Sequence, residues 1–158
     1  MSTIAPPPAR LRPSTLFQGL AAALSIPLAL VVPLWITAGR TLFGVEGPMV
    51  VIFTATVGPL LAILLLVSAV RITVSATRRP TFGAPLRTSF LLLAVWVAGG
   101  ALGFLVPDVG GPPDSQGSVM SVLLGDELVG ISAALANPMG ILTLGLSISL
   151  IVVSRRQE

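Results

Sequence analysis

The sequence predicts an all-α membrane protein: a four-transmembrane-helix antiparallel bundle with both termini on the cytoplasmic side of the cell membrane. Apolar residues make up 54% of the chain and charged residues only 9%, whereas a soluble domain carries about a quarter charged residues. Four uncharged stretches each approach the ~20 residues that cross a bilayer core. The arginines also gather on one side of the predicted membrane.

Four spans are expected, at 15–38, 49–70, 89–106 and 130–153. Each must be helical, because an isolated strand would leave its backbone groups without hydrogen-bond partners in lipid. The third span is the shortest and is rich in glycine. Its 18 residues rise about 27 Å, which is just enough to cross a hydrocarbon core of about 30 Å when nearly upright.

The segments outside the spans are short. Residues 1–14, rich in proline and arginine, are predicted to be a disordered cytoplasmic tail, and residues 154–158 a second cytoplasmic tail.

The alternative for the first span is a cleaved signal peptide. A signal peptide has an apolar region of about 7–15 residues, and this stretch is longer and contains two prolines, so a membrane helix is favoured.

The charges orient the bundle. With the N-terminus inside, eight of nine arginines are cytoplasmic and only Arg40 is external. This distribution follows the positive-inside rule, and omitting the third span would break it. The external acids are interpreted as excluded from the cytoplasm and as favouring solubility: Glu46, Asp108, Asp114, Asp126 and Glu127.

Two loop features are predicted. The cytoplasmic loop has a basic cluster that serves topology and could bind anionic lipid headgroups: Arg71, Arg78, Arg79 and Arg87. In the second external loop, the apolar residues of 118–128 are close enough to face one way. They predict a short helix lying in the membrane interface.

Small residues form faces on the third and fourth spans. They are Ala94, Ala98, Gly99 and Gly103 on the third, and Ser132, Ala136, Gly140, Thr143 and Ser147 on the fourth. Such faces let helix backbones approach closely in lipid, and the hydroxyl groups can bond across the contact. The two faces are expected to pack against each other within the chain; a homo-oligomer or partner interface is the alternative.

Prolines interrupt three of the spans and are expected to kink them: Pro27 and Pro33, Pro59, and Pro138. Asn137 is the only asparagine in the four spans. We expect it to be a structural clamp that bonds a free carbonyl or a neighbouring helix, in preference to a ligand contact.

The chain lacks cysteine, histidine, lysine and tyrosine, which removes the usual nucleophiles, metal ligands and general bases. We therefore expect no catalytic, cofactor or metal site and no nucleic-acid partner. The expected function is that of a non-enzymatic accessory, scaffolding or assembly protein. Its partners would be the lipid bilayer and either a membrane protein or a second copy. The alternative is an oligomeric channel or facilitator for neutral or weakly polar solutes.

Overall fold

The computed structural model describes residues 14–110 and 117–156. Throughout these residues the regular secondary structure is helical, and four helices are long and apolar enough to cross a membrane. The prediction of an all-helical protein with four such helices is confirmed. The predicted disordered tail, except Ser14, lies outside the described residues, as do Asp114 and the last two residues of the C-terminal tail.

The first span is helix α1, Leu16–Thr37. It begins with a capping box, in which the Thr15 hydroxyl accepts from the amide of Gln18 and the Gln18 side chain accepts from the amide of Thr15. The helix continues through Pro27 and Pro33. Each proline removes one backbone hydrogen bond, and packing of α1 against two neighbouring helices supports the rest.

The second span consists of two helices, α2 (Pro48–Ala55) and α3 (Val57–Thr77). They are separated at Thr56, whose φ of −123° and ψ of −77° are not helical. Pro59 explains the break, because its ring clashes with the carbonyl group four residues earlier and it has no amide proton to donate there. Among the kinks predicted at the prolines, the one near Pro59 divides its span into two helices. Helix α3 also continues past the predicted end at residue 70 and includes Arg71.

The third span, α4, runs from Leu86 to Leu105. Its 20 residues are about 30 Å long at 1.5 Å per residue, so the span that seemed shortest is long enough without special orientation. It begins immediately after Pro85, whose fixed φ suits the residue before a helix.

The fourth span is α6, Val129–Arg155, which is continuous through Pro138. It follows a short helix, α5 (Val119–Leu124), and a 3-10 turn at Asp126–Leu128. Helix α5 lies within the segment predicted to contain a loop helix. Its Val119 is buried, whereas its last three residues are exposed.

The four spans form a square in cross-section. Helix α1 packs against α3 and α4, and α6 packs against the same two helices from the opposite corner. We call the two ends of the bundle the Arg40 end (residues 38–47, 106–110 and 117–128) and the Arg79 end (residues 78–85 with Ser14). The buried interior between them combines serine and threonine side chains with a hydrophobic cluster that is mainly aliphatic, including Ile36, Leu61, Leu65, Ile72, Leu92, Val95, Leu102 and Leu150.

Candidate functional site

The small face of α6 points into the bundle. Ser132, Thr143 and Ser147 are fully buried, Ala136 is buried, and Gly140 is half-buried. A Cβ atom at Gly140 would lie 3.7 Å from Leu102 of α4. These residues therefore lie where the sequence places an internal packing surface between the third and fourth spans.

The hydroxyl groups on this face mostly bond within their own helix. Thr143 donates to the carbonyl of Met139 at 2.8 Å, and Ser147 donates to the carbonyl of Thr143 at 2.7 Å. Ser132 alone among the three accepts a bond from another helix, from the Ser118 hydroxyl at the start of α5, at 3.0 Å. The hydroxyl groups were expected to bond across the α4–α6 contact. They bond within α6 instead, because the aliphatic side chains opposite them offer no hydrogen-bond partner.

The glycines of α4 contact a different helix from the one predicted. A Cβ atom at Gly99 would collide with Val32 of α1, and one at Gly103 would lie 2.5 Å from Nε1 of Trp35. The indole Nε1 of Trp35 donates to the carbonyl of Gly100 at 2.9 Å. These glycines therefore form a notch for α1, and their predicted pairing with the fourth span is wrong. The remaining small residues of this group are buried or half-buried: Ala98 and Ala94.

The four arginines predicted to contact headgroups lie towards the Arg79 end. Arg78 and Arg79 follow α3 and are exposed, and Arg87 is exposed in the first turn of α4. Arg71 is half-buried on α3, six residues before that helix ends. Their contact with lipid headgroups stays a prediction.

The most unusual residue at the Arg40 end is Arg40 itself, which is 0% exposed. It lies in a 3-10 turn, Gly39–Phe43, between α1 and α2. Its Nη1 atom donates to the carbonyl of Val106 at 3.1 Å, and its guanidinium lies 5.5 Å from the centre of the Phe53 ring. The Nε and Nη2 atoms make no hydrogen bond with the residues that the structure describes.

Asp108 balances this buried charge. One of its carboxylate oxygens lies 4.0 Å from Nη2 of Arg40, and the Asp108 side chain is 1% exposed. Burial lowers the pKa of the Arg40 guanidinium, and the charge of Asp108 opposes that shift. The expectation that Asp108 favours solubility is therefore wrong, because its side chain is buried. Glu46, Asp126 and Glu127 are exposed as expected.

Asp108 also holds the beginning of α2. Its two carboxylate oxygens accept from the backbone amides of Met49 at 3.0 Å and Val50 at 3.3 Å. The carboxylate thus satisfies amides that would otherwise have no partner in the first turn of the helix. Gly47 permits this approach, because a Cβ atom there would lie 2.6 Å from the carboxylate carbon of Asp108. The main chain of Asp108 pairs in turn with that of Gly117.

A groove of about 400 Å³ lies beside this pair. One wall comes from α2 and α3, the other from α6, and the floor from α4 and the residues that follow it. Because α2 packs on α3 and α1 while α6 packs on α4 and α3, the space between α2 and α6 is left unfilled. The lining is apolar except for Asn137: Met49, Phe53, Val57, Leu61, Leu102, Val106, Pro107, Val109, Ala133, Ala136, Gly140 and Leu144.

Asn137 does not act as the expected structural clamp. Its side chain is exposed at the groove and makes no hydrogen bond with the part of the chain that the structure describes. It lies eight residues into α6, about 12 Å from the beginning of that helix. A carboxamide has two donors and two acceptor lone pairs, and Asn137 is the one polar side chain in the groove lining.

Sequence reasoning missed the Arg40–Asp108 pair, although one signal pointed to it. Arg40 is the only arginine that departs from the positive-inside pattern. Its partner lies 68 residues further along the chain, so no local spacing could have joined them. In the sequence, Asn137 is the one residue that drew attention to the position of the groove.

Among the described residues, no three histidine, cysteine or acidic side chains come close enough to hold a metal ion. No protein-family model matches the chain, and neither the curated proteins nor the solved structures contain a significant match.

Proposed function

We propose that this chain is a small multi-pass protein of the cell membrane, with both termini cytoplasmic, that acts as a non-enzymatic accessory, scaffolding or assembly protein. The observation that carries the proposal is a second small-residue face on α6 that the described chain leaves uncovered. Only 22% of the most apolar stretch of the fourth span is buried within the chain, a share close to the 17% of the second span and well below the 50% of α4. The fourth span therefore has a large surface available to a partner.

This uncovered face includes Gly130, Ala134 and Gly145, all exposed on the side of α6 away from the bundle. A Cβ atom at either glycine would meet nothing within 4 Å. Small residues at helix surfaces allow the close backbone approach that drives association in lipid, where the hydrophobic effect does not. The buried face of α6 already supports packing inside the chain, and the exposed face repeats that chemistry outwards.

The charges support the proposed orientation. Exposed arginines lie at the Arg79 end and at the end of α6, at positions 78, 79, 87, 155 and 156. At the Arg40 end, Glu46, Asp126 and Glu127 are exposed, and the one described arginine is buried against an acid. The positive-inside rule places the arginine-rich end in the cytoplasm.

Association should be tested on the full chain extracted in mild detergent. We expect the protein to co-purify with a second copy or with a membrane protein, and Gly145→Leu to weaken that association at least tenfold because the side chain separates the backbones. Gly100→Leu is the matched control, since a Cβ atom at Gly100 also meets nothing within 4 Å but lies on α4. A strictly monomeric protein without a partner would overturn the proposal.

The oligomeric channel remains the second candidate from the sequence, and no contact in the described chain favours it. The hydroxyl groups of Thr143 and Ser147 donate to backbone carbonyls of α6, and both side chains face the hydrophobic core. A polar path would therefore have to form between copies. Solute flux into liposomes containing the reconstituted protein tests this; flux of a neutral solute above that of empty liposomes would favour the channel.

A further inference from the structure

We propose that the groove between α2 and α6 binds a neutral membrane amphiphile, with its hydrocarbon chain in the apolar groove and a hydroxyl or carbonyl head group bonded to Asn137. The groove falls within the 300–1,000 Å³ that small-molecule sites usually occupy. It also has the usual chemistry of such sites, an apolar lining with a single polar group that fixes orientation. The proposal does not rest on association through Gly130, Ala134 and Gly145 of α6.

The size of the groove favours a lipid-like chain over a partner helix. Along α6 the lining extends from Ala133 to Leu144, about 16 Å at 1.5 Å per residue. Counted out to its open side, the groove encloses about 960 Å³, less than the roughly 1,300 Å³ of a helix about 10 Å across and of that length. A single hydrocarbon chain of about a dozen carbon atoms needs only about 360 Å³, at roughly 30 Å³ for each group the size of a water molecule, and fits within that space.

The polarity of the groove favours a neutral head group. The lining has no charged residue, and the nearby charges of Arg40 and Asp108 compensate each other. Charged groups are costly at this depth, because Asn137 is about 12 Å from the beginning of α6. A hydroxyl or carbonyl group there would gain a hydrogen bond from an amide that otherwise has no partner among the described residues.

The Arg40–Asp108 pair positions the groove without touching its occupant. Asp108 bonds the amide of Met49, and Arg40 contacts Phe53 and the carbonyl of Val106. All three of these partners line the groove. The pair thus holds α2 and the segment after α4 in place, and α2 stays apart from α6.

The proposal can be tested by photolabelling the full chain in phosphatidylcholine vesicles. The probe is a long-chain fatty alcohol with a diazirine in the middle of its chain, and the comparison probe is the corresponding alkane. Labelled residues are mapped by mass spectrometry. We expect the alcohol to label residues of the groove in preference to other lipid-exposed residues.

Variants separate the head-group contact from the chain site. Asn137→Leu should reduce labelling by the alcohol about threefold to tenfold, the worth of one hydrogen bond, and leave labelling by the alkane unchanged. Ala133→Phe should abolish groove labelling by both probes. Ala134→Phe is the matched control, because Ala134 is also exposed but does not line the groove, and it should label like the natural chain.

Several results would overturn the proposal. Labelling spread evenly over all lipid-exposed residues would show that the groove is not a site. Equal loss of both probes in Asn137→Leu, or no loss of either, would remove the head-group contact. If the groove residues cross-link in cells to a protein and not to lipid, a protein partner occupies the groove. Circular dichroism of each variant guards against loss of the fold.

Discussion

Removing the carboxylate of Asp108 should destabilise the fold more than any other single change at the Arg40 end. The guanidinium of Arg40 is fully buried 4.0 Å from that carboxylate. At this separation and an effective dielectric constant of 20 the attraction is about 4 kcal/mol, which offsets the cost of taking the guanidinium out of water. Breaking a buried pair by removing one partner costs about 3–5 kcal/mol.

The Asp108→Ala substitution also frees two backbone amides at the beginning of α2, at Met49 and Val50. Loss of a helix cap costs about 0.5–2 kcal/mol. The two effects overlap, so we expect a total loss of about 4–6 kcal/mol. Arg40→Met should cost less, about 2 kcal/mol or under, because Asp108 keeps both amide bonds and its favourable position at a helix N-terminus.

The double variant Arg40→Met/Asp108→Ala decides whether the pair is coupled. It carries no uncompensated buried charge, so it should be at least about 2 kcal/mol more stable than Asp108→Ala alone. Unfolding in mixed micelles with a rising fraction of dodecyl sulfate, followed by circular dichroism, measures all three variants. Asp126→Ala, at an exposed acid, should stay within about 0.5 kcal/mol of the natural chain.

Two results would refute this reasoning. Equal losses for Asp108→Ala and Arg40→Met would mean that the amide bonds of Asp108 contribute nothing. A double variant whose loss equals the sum of the single losses would mean that the two charges do not interact. Either result would also remove the positioning role of the pair in the groove.

Three further outcomes follow from individual contacts. Gly99→Ala should destabilise the protein by about 1–3 kcal/mol through overpacking against α1, whereas Gly100→Ala should stabilise it by up to about 1 kcal/mol through helix propensity; the same micelle unfolding compares these neighbours, and equal effects would contradict the notch. Trp35→Phe should cost about 1 kcal/mol, because the indole bond to a carbonyl of α4 is lost, and an unchanged unfolding midpoint would show that this bond contributes nothing. In a chain without native cysteine, Glu46→Cys should react with an impermeant thiol reagent from outside intact cells and Thr77→Cys should not; the reverse pattern would overturn the proposed orientation.

The helices could be predicted from the sequence because their signals are local. Long uncharged stretches, the capping residue Thr15 and the breaking residue Pro59 act within one or two turns, so α1 begins and ends within one residue of the predicted span. The end of α3 was predicted too early because Arg71 was taken as the limit of the apolar stretch. A membrane helix can continue past its first charge, since a long side chain reaches the interface from within the last turns.

The helix contacts could be predicted only in part, because they depend on which helices become neighbours. Small residues indicated that α4 and α6 each pack closely against a neighbouring helix, but they could not show which helix that neighbour is. Gly99 and Gly103 face α1, since the notch they form fits the side chains of Val32 and Trp35. The buried face of α6 could be predicted without knowing its neighbour, because it depends only on the 3.6-residue period of the helix. Ser132 and Thr143 are buried on that face as the period indicated.

The pairing of Arg40 with Asp108 has a consequence for how the bundle assembles. Membrane helices form first and associate afterwards, and Asp108 follows the third span, so Arg40 cannot pair with Asp108 when the first two spans insert. The pair can form only when the segment after α4 reaches the turn between α1 and α2. The same step caps α2 and bonds the carbonyl of Val106. Charge neutralisation, helix capping and shaping of the groove therefore occur together, once the segment after α4 is in place.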